Sequence, residues 1–292
     1  MGFLSNLFSK QTCVFCEKQV GALGRKKMTD GNYICKECEK NCSAFIDPSR
    51  FDTEFIRTHM EYMKKQDILY KKEFETLEKE KRARYVHEGY YGLEFADDIA
   101  MFEVIDPKAS KRNYKELFRY DQIKDYEIYS KPNSSTEAGA KKYSEVGIKI
   151  IMNCQVGIDS VGMSDVEKKL AHPYVSELNI LCARDTDSAT DSTWAVEHLN
   201  KIFGRASGTL FGAAKEAFTG TGHERQGYKA GADALKALGS MAKAKMTGNE
   251  EDAAKAKEKM ETAVESGFAY ASENRTKYTK IADEVENRAW GE

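Results

Sequence analysis

The sequence predicts an α+β chain in three parts: a small metal-folded module, a mostly antiparallel β region and a helical tail. Three observations lead there. Two Cys-x-x-Cys pairs stand near the start, Cys13/Cys16 and Cys35/Cys38. Between residues 88 and 184, short runs alternate apolar and polar side chains, as half-buried antiparallel strands do. From residue 204 on, glycine and alanine recur at helical spacing in a background rich in Lys and Glu.

The 292 residues suffice for two or three compact domains. A hydrophobic fraction of 41% can build their cores, and a charged fraction of 32% fits well-solvated helical surfaces. The formal net charge of −2 lacks the basic excess of a dedicated nucleic-acid binder. No run approaches the roughly 18 consecutive apolar residues of a membrane-spanning helix. The first residues, Met1 to Phe8, are apolar but too short for a secretory signal. Asn6 stands where the myristoylation pattern wants Ser or Thr. A cytoplasmic protein is expected. Phe3, Leu4, Leu7 and Phe8 share one face of a short helix, which either packs on the metal module or touches a membrane surface.

Five of the seven cysteines fall within residues 13–42, and no secreted disulfide framework is suggested by this odd, clustered set. Each Cys-x-x-Cys turn places two thiolates on one side of an ion. Two such turns complete the tetrahedron that zinc takes in structural sites, leaving no position open for water or substrate. The spacer, residues 17–34, holds a β-hairpin: Lys26 to Met28, a turn at Thr29-Asp30-Gly31-Asn32, then Tyr33-Ile34. One structural zinc held by Cys13, Cys16, Cys35 and Cys38 is expected. A redox dithiol fits less well, because that motif stands alone at a helix start. So small a module buries little core, so the metal supplies much of its folding energy. Cys42, one helical turn after Cys38, is expected to pack rather than to ligate, and Cys154 and Cys182 to be small buried hydrophobes.

The run Cys13-Val-Phe-Cys-Glu-Lys, followed by Asp30-Gly-Asn-Tyr-Ile-Cys-Lys-Glu-Cys, resembles a treble-clef zinc finger. It is similar to the zinc-binding domain of the Clp-type unfoldase ATPases, which dimerises and binds partner proteins. That resemblance implies a helix opened by the second pair, from about Lys36 to Ile46. The ATPase motif GxxxxGK[ST] is absent from the sequence. With Leu117-Phe-Arg-Tyr-Asp-Gln-Ile-Lys-Asp-Tyr-Glu-Ile and Gly147-Ile-Lys-Ile-Ile-Met added, residues 10–203 resemble bacterial proteins containing the domain of unknown function 4428. The resemblance implies a β-sandwich like that of pleckstrin-homology or GRAM domains after the zinc module, and no established activity.

Boundaries follow at 1–48 for the zinc module, 49–87 for a helical linker, 88–203 for the β domain and 204–292 for the helical region. In the linker, Phe51, Phe55, His59, Tyr62 and Met63 recur at helical spacing, as do Ile68, Leu69, Phe74 and Leu77. The mixed charges from Lys71 to Arg84 read as a solvated helix face. Strands are expected around Tyr90-Tyr91, Ile99–Val104, Leu117-Phe118, Tyr126–Tyr129, Val146–Met152 and Val175–Cys182, in a sandwich of about seven strands. Asp185, Asp187 and Asp191 lack the glycine and glutamate of a calcium loop and read as a strand end and helix cap. The next helix turns Trp194, Ala195, Leu199 and Ile202 inward and closes the β domain.

Gly204, Gly208 and Gly212 form a small-residue stripe suited to close helix packing, within or between chains. Leu235, Leu238, Ala242 and Met246 mark one later helix. Ala253, Ala256, Met260, Ala263 and Val264 mark another, which runs on toward Ile281 and Val285. Trp290 is either a packing anchor or an exposed recognition element.

The five histidines make no HExxH, and neither GxSxG nor GxGxxG occurs. His172 and His198 are expected to serve structure. The expected function is therefore a non-enzymatic zinc-binding scaffold or adaptor, with a protein partner or a second copy of itself and no small-molecule substrate. The alternatives are a peripheral membrane module using the β domain and the apolar N-terminus, and nucleic-acid binding through Arg25, Lys26 and Lys27 on the zinc hairpin.

Overall fold

The computed structural model describes residues 10–87, 91–134, 139–156, 168, 170–187, 193–203, 233, 236–237, 240 and 250–291. The chain divides into two compact units, Met1–Ser192 with Ile281–Glu292, and Thr193–Lys280. Helices and small antiparallel sheets make up the described residues, an α+β architecture.

The first unit opens with two short hairpins. β1 (Gln11–Thr12) pairs with β2 (Gln19–Val20), and β3 (Arg25–Lys27) pairs with β4 (Tyr33–Cys35). The second hairpin is the one expected, with Lys26 opposite Ile34. Its turn needs Gly31, whose φ of +89° lies in the left-handed region. Helix α1 covers only Lys36–Glu39, far short of Ile46. The backbone after it is drawn into other bonds: the Cys42 amide donates to the Glu39 carbonyl, and the Ser43 amide donates to His59 Nε2.

Helix α2 (Thr53–Leu69) starts at Asp52, whose carboxylate accepts from the Phe55 amide at 2.8 Å. It buries Ile56, His59, Met60 and Met63, and Tyr62 and Phe55 flank the same face. The helix then widens into a π-turn at Tyr70–Phe74. The extra residue of that turn brings Phe74 around to the buried side of Leu69, five positions earlier, while Ile68 stays exposed.

The residues after the π-turn are not one solvated helix face. They form a short 3₁₀ turn at Lys79–Lys81 and then a strand, β5 (Ala83–His87), which the sequence reading did not foresee. β5, β6 (Tyr91–Ala96), β7 (Met101–Ile105) and β8 (Phe118–Arg119) make a four-stranded antiparallel sheet in chain order. Close pairing of β5 and β6 requires Gly92, since a Cβ there would meet the Tyr85 carbonyl oxygen at 1.9 Å. β9 (Ile123–Pro132), β10 (Tyr143–Met152) and β11 (Glu177–Thr186) form a three-stranded sheet in the order β11-β10-β9. β11 also lies against β5 and β6. The body's interior is aromatic: Phe95, Phe102, Phe118 and Tyr120 stack with centroids 5.4–6.4 Å apart. Cys154 and Cys182 are buried as expected.

In the second unit, α3 (Thr193–Phe203) buries Ala195, Leu199 and Ile202, three of the four residues expected on its inner face; the Trp194 side chain lies outside the described residues. Helix α4 runs from Glu250 to Trp290, 41 residues. Its last turns, from Ile281, group with the first unit, where Ala282, Val285 and Ala289 share a core with Leu69, Phe74, Ile99, Met101 and Leu117. Trp290 is a packing anchor: its indole N–H donates to the Lys65 carbonyl at 3.1 Å. Among the described residues no helix is long and apolar enough to cross a membrane.

Candidate metal centre

The four cysteines of the two pairs converge. Their Sγ atoms all lie within 4.8 Å of one another, and among the described residues this is the one group of His, Cys, Asp and Glu placed to hold a metal ion. The first pair sits on the tight turn between β1 and β2. There the Glu17 amide donates to the Cys13 carbonyl at 2.8 Å and the Cys13 amide donates to the Lys18 carbonyl at 3.0 Å. Closing that turn puts Glu17 at φ +60°, an unusual conformation for a glutamate. The second pair straddles the end of β4 and the start of α1. Cys35 caps the helix, its Sγ accepting from the Cys38 amide at 3.3 Å. Across the module, the Cys35 amide donates to Cys13 Sγ at 3.4 Å, and the Cys16 and Cys35 sulfurs are 3.7 Å apart.

The electrostatics suit a cation. Burial opposes ionisation of Cys13, but donation from the amides of Cys35, Phe15 and Cys16 outweighs it and brings that thiol down to about 7. Burial and then the neighbouring cysteines push Cys38 far above its ordinary value. Without a cation Cys13 therefore ionises readily, whereas Cys35 and Cys38 resist it. A divalent ion reverses that by compensating all four, releasing protons as it binds. Four converging thiols with donating amides fit a closed, tetrahedral, soft-ligand ion. Cys42 is not one of them. It is fully buried, and burial pushes its thiol up to about 12. Asp187 pairs with Lys141 at 2.8 Å and accepts from the Lys142 amide.

Two of the three basic residues of the hairpin, Lys26 and Arg25, are engaged within the module, and Lys27 is exposed. Lys26 bridges Glu39 at 3.2 Å and Asp47 at 3.1 Å. Arg25 donates to the Val20 carbonyl and lies 4.9 Å from the Tyr33 ring centre.

Residues 12–57 match the family model of a domain of unknown function (DUF4428). The match covers the cysteine module and the first turn of α2. It does not reach β5 to β11, which the resemblance read in the sequence had included. No curated protein and no solved structure matches the chain.

A feature the sequence reading missed joins this module to the strands. The Ser43 hydroxyl donates to Glu116 Oε2 at 2.5 Å, and the Ser43 amide donates to His59 Nε2 at 2.9 Å. Glu116 Oε1 stands 3.7 Å from His172 Nε2, which is also 3.1 Å from the Tyr62 hydroxyl. His172 Nδ1 accepts from the amides of Tyr174 and Val175 at 3.2 and 2.9 Å. Those amides fix the tautomers. His172 carries its proton on Nε2, His59 on Nδ1, and both rings are neutral. Burial drives both histidines down to about 3. Burial lifts Glu116 to about 7, against the Ser43 hydrogen bond and the charge of Arg112. Outside this buried seam, Arg112 donates to the Glu39 carbonyl at 2.7 Å and the Asn113 amide to the Lys40 carbonyl at 2.9 Å. No local sequence signal pairs the residues of this seam, since Tyr62 and His172 are 110 residues apart.

The other sequence-predicted contact residues, Phe3, Leu4, Leu7, Phe8, Gly204, Gly208 and Gly212, lie outside the described residues.

Proposed function

We propose that this protein is a non-enzymatic scaffold or adaptor built around one structural zinc ion, and that it works by protein–protein interaction or self-assembly. The convergence of four thiols into a closed ligand set supports this reading most. A fourth thiolate occupies the position that a catalytic zinc leaves open to water. The ion's role is then to hold a surface in shape. Ser43, Asn113 and Arg112 tie that surface to the strands, so a partner bound at the zinc module is held rigidly against the body.

Two finer assignments belong to the same proposal. A knuckle, a hairpin and a helix opened by the second cysteine pair support a treble-clef module. Four strands, then three, then the helix Thr193–Phe203, support a pleckstrin-homology or GRAM-like β domain.

The test is metal analysis together with light scattering on the purified full chain. About one zinc per chain is expected, together with a stable oligomer or a stoichiometric complex that chelation dissolves. A metal-free or strictly monomeric, partnerless protein contradicts the reading. Flotation with anionic vesicles tests the membrane alternative, for which binding is expected only if the β domain or the apolar N-terminus docks on lipid.

A further inference from the structure

The end of α4 is held by the first unit as a ligand is held. Ala282, Val285 and Ala289 form a stripe at three- and four-residue spacing, set against Leu69, Phe74 and Met101. The alanines let the helix backbone come close, as helix-in-groove docking requires. The charges match as well. Arg119 is buried and bonded to Asp121 at 2.7 Å, and it reaches out to Asp283 and Glu286, both at 2.8 Å. Arg288 forks onto Glu73 at 2.5 and 3.0 Å. At the helix end the Lys72 ammonium donates to the Ala289 carbonyl at 2.6 Å, where the helix dipole is negative. Trp290 lies under the Lys65 ammonium, 5.5 Å from its ring centre.

Every one of these bonds is non-covalent, and the chain leading to the segment, Thr193–Lys280, is a compact unit of its own. A second copy of the chain carries the same apolar stripe, acidic pair, arginine and tryptophan. Its helix therefore satisfies the seat as fully as the chain's own does, which is the condition for exchange of an identical element between protomers. We propose that this seat is the protein's self-association site, taken by the C-terminal helix of a second copy. The proposal rests on the scaffold reading and names its surface and partner. A tethered helix competes at an effective concentration on the order of a millimolar, so exchange grows as the protein is concentrated.

The experiment uses two full-length, zinc-replete variants, Glu73→Cys and Arg288→Cys, mixed at roughly millimolar protein, where free and tethered helices compete. A short bismaleimide then joins thiols. The expected product is a covalent dimer joined between positions 73 and 288, formed by the mixture and by neither variant alone. The double variant, kept dilute, is expected to join within one chain. An internal joint in the double variant with no dimer from the mixture overturns the proposal. So does a double variant that fails to join at all, because the helix is then not in the seat. Adding Trp290→Ala to the Arg288→Cys chain is expected to lower dimer yield at least about tenfold, as loss of a tryptophan anchor does; an unchanged yield overturns the proposal. Light scattering separates the two readings. An oligomer that persists without the joint keeps the scaffold and removes this seat, whereas a monomer without the joint removes both.

Discussion

The cysteine module and the strand body of the first unit solve the same problem with different materials. The body buries Phe95, Phe102, Phe118 and Tyr120 against one another, and its stability comes from apolar area removed from water. The module buries Cys13, Met28, Ile34, Cys35, Cys38, Cys42 and Ile46, too little apolar surface to hold its turns. What completes it is the proposed ion. Where the two meet, neither material is used: the seam is made of buried Ser43, Glu116, His59 and His172 with half-buried Tyr62. It is joined by the bonds Ser43–Glu116, Ser43–His59 and Tyr62–His172, while His59 Nδ1 and Glu116 Oε1 are buried without a hydrogen-bond partner. The module should thus respond to metal and the body to core volume, with pH acting on the seam between them.

The largest expected effect is on the module alone. Structural zinc contributes on the order of 10 kcal/mol to such modules. Cys38→Ser is therefore expected to abolish amide protection across residues 11–47 while β10 and β11 stay protected, as read by hydrogen exchange. Loss of protection throughout, or nowhere, breaks the comparison. Next comes the body. Phe102→Ala should cost about 3–5 kcal/mol by the usual toll of an emptied aromatic site, with zinc content unchanged in metal analysis.

The seam is expected to give intermediate effects. Ser43→Ala leaves a buried Glu116 oxygen without its donor and should cost about 1–3 kcal/mol in denaturant unfolding. Its pH dependence has a definite sign. The two histidines sit at about 3 in the fold, below their ordinary 6.5. Their contribution is whole above pH 6.5 and is lost as pH falls toward 3. Glu116 is raised from 4.5 to about 7, so its contribution is whole below pH 4.5 and is lost as pH rises through 7. Glu116→Gln keeps an acceptor for Ser43 without the charge, and should remove the loss between pH 4.5 and 7 while leaving the acid-side loss intact. A Gln variant with the wild-type alkaline slope would place that titration elsewhere.

The smallest effect belongs to the surface. Lys131 and Glu145 pair across β9 and β10 with the lysine well exposed. Lys131→Ala should change stability by less than about 1 kcal/mol, and a larger loss would mean that the three-stranded sheet depends on its rim.

Legibility in the sequence followed locality. The cysteine pairs, the hairpin between them and strands β7, β9, β10 and β11 are written in short stretches, and the structure places them where periodicity and turn residues indicate. β5 was missed because Arg82 and Arg84 made it look like part of a charged helix. In the fold both arginines turn to the buried Glu94 of the next strand, at 3.3 and 3.0 Å. Helix α1 stops early: the amides of Lys40, Asn41 and Cys42 turn back to the carbonyls three residues earlier, and the next amide, of Ser43, is taken by His59. In the seam and the seat of α4 the helical spacing of His59, Tyr62, Ile281 and Val285 was legible but their partners were not: Arg119 and Glu286 are 167 residues apart, and nothing near either one announces the other.

The most direct test of the central claim is hydrogen exchange on the full chain before and after metal stripping, with zinc counted in the same sample. The expected result is about one zinc per chain, loss of protection in residues 11–47 when it is removed, and recovery when it is returned. A chain that purifies without metal and keeps the same protection in that segment contradicts a zinc-held module.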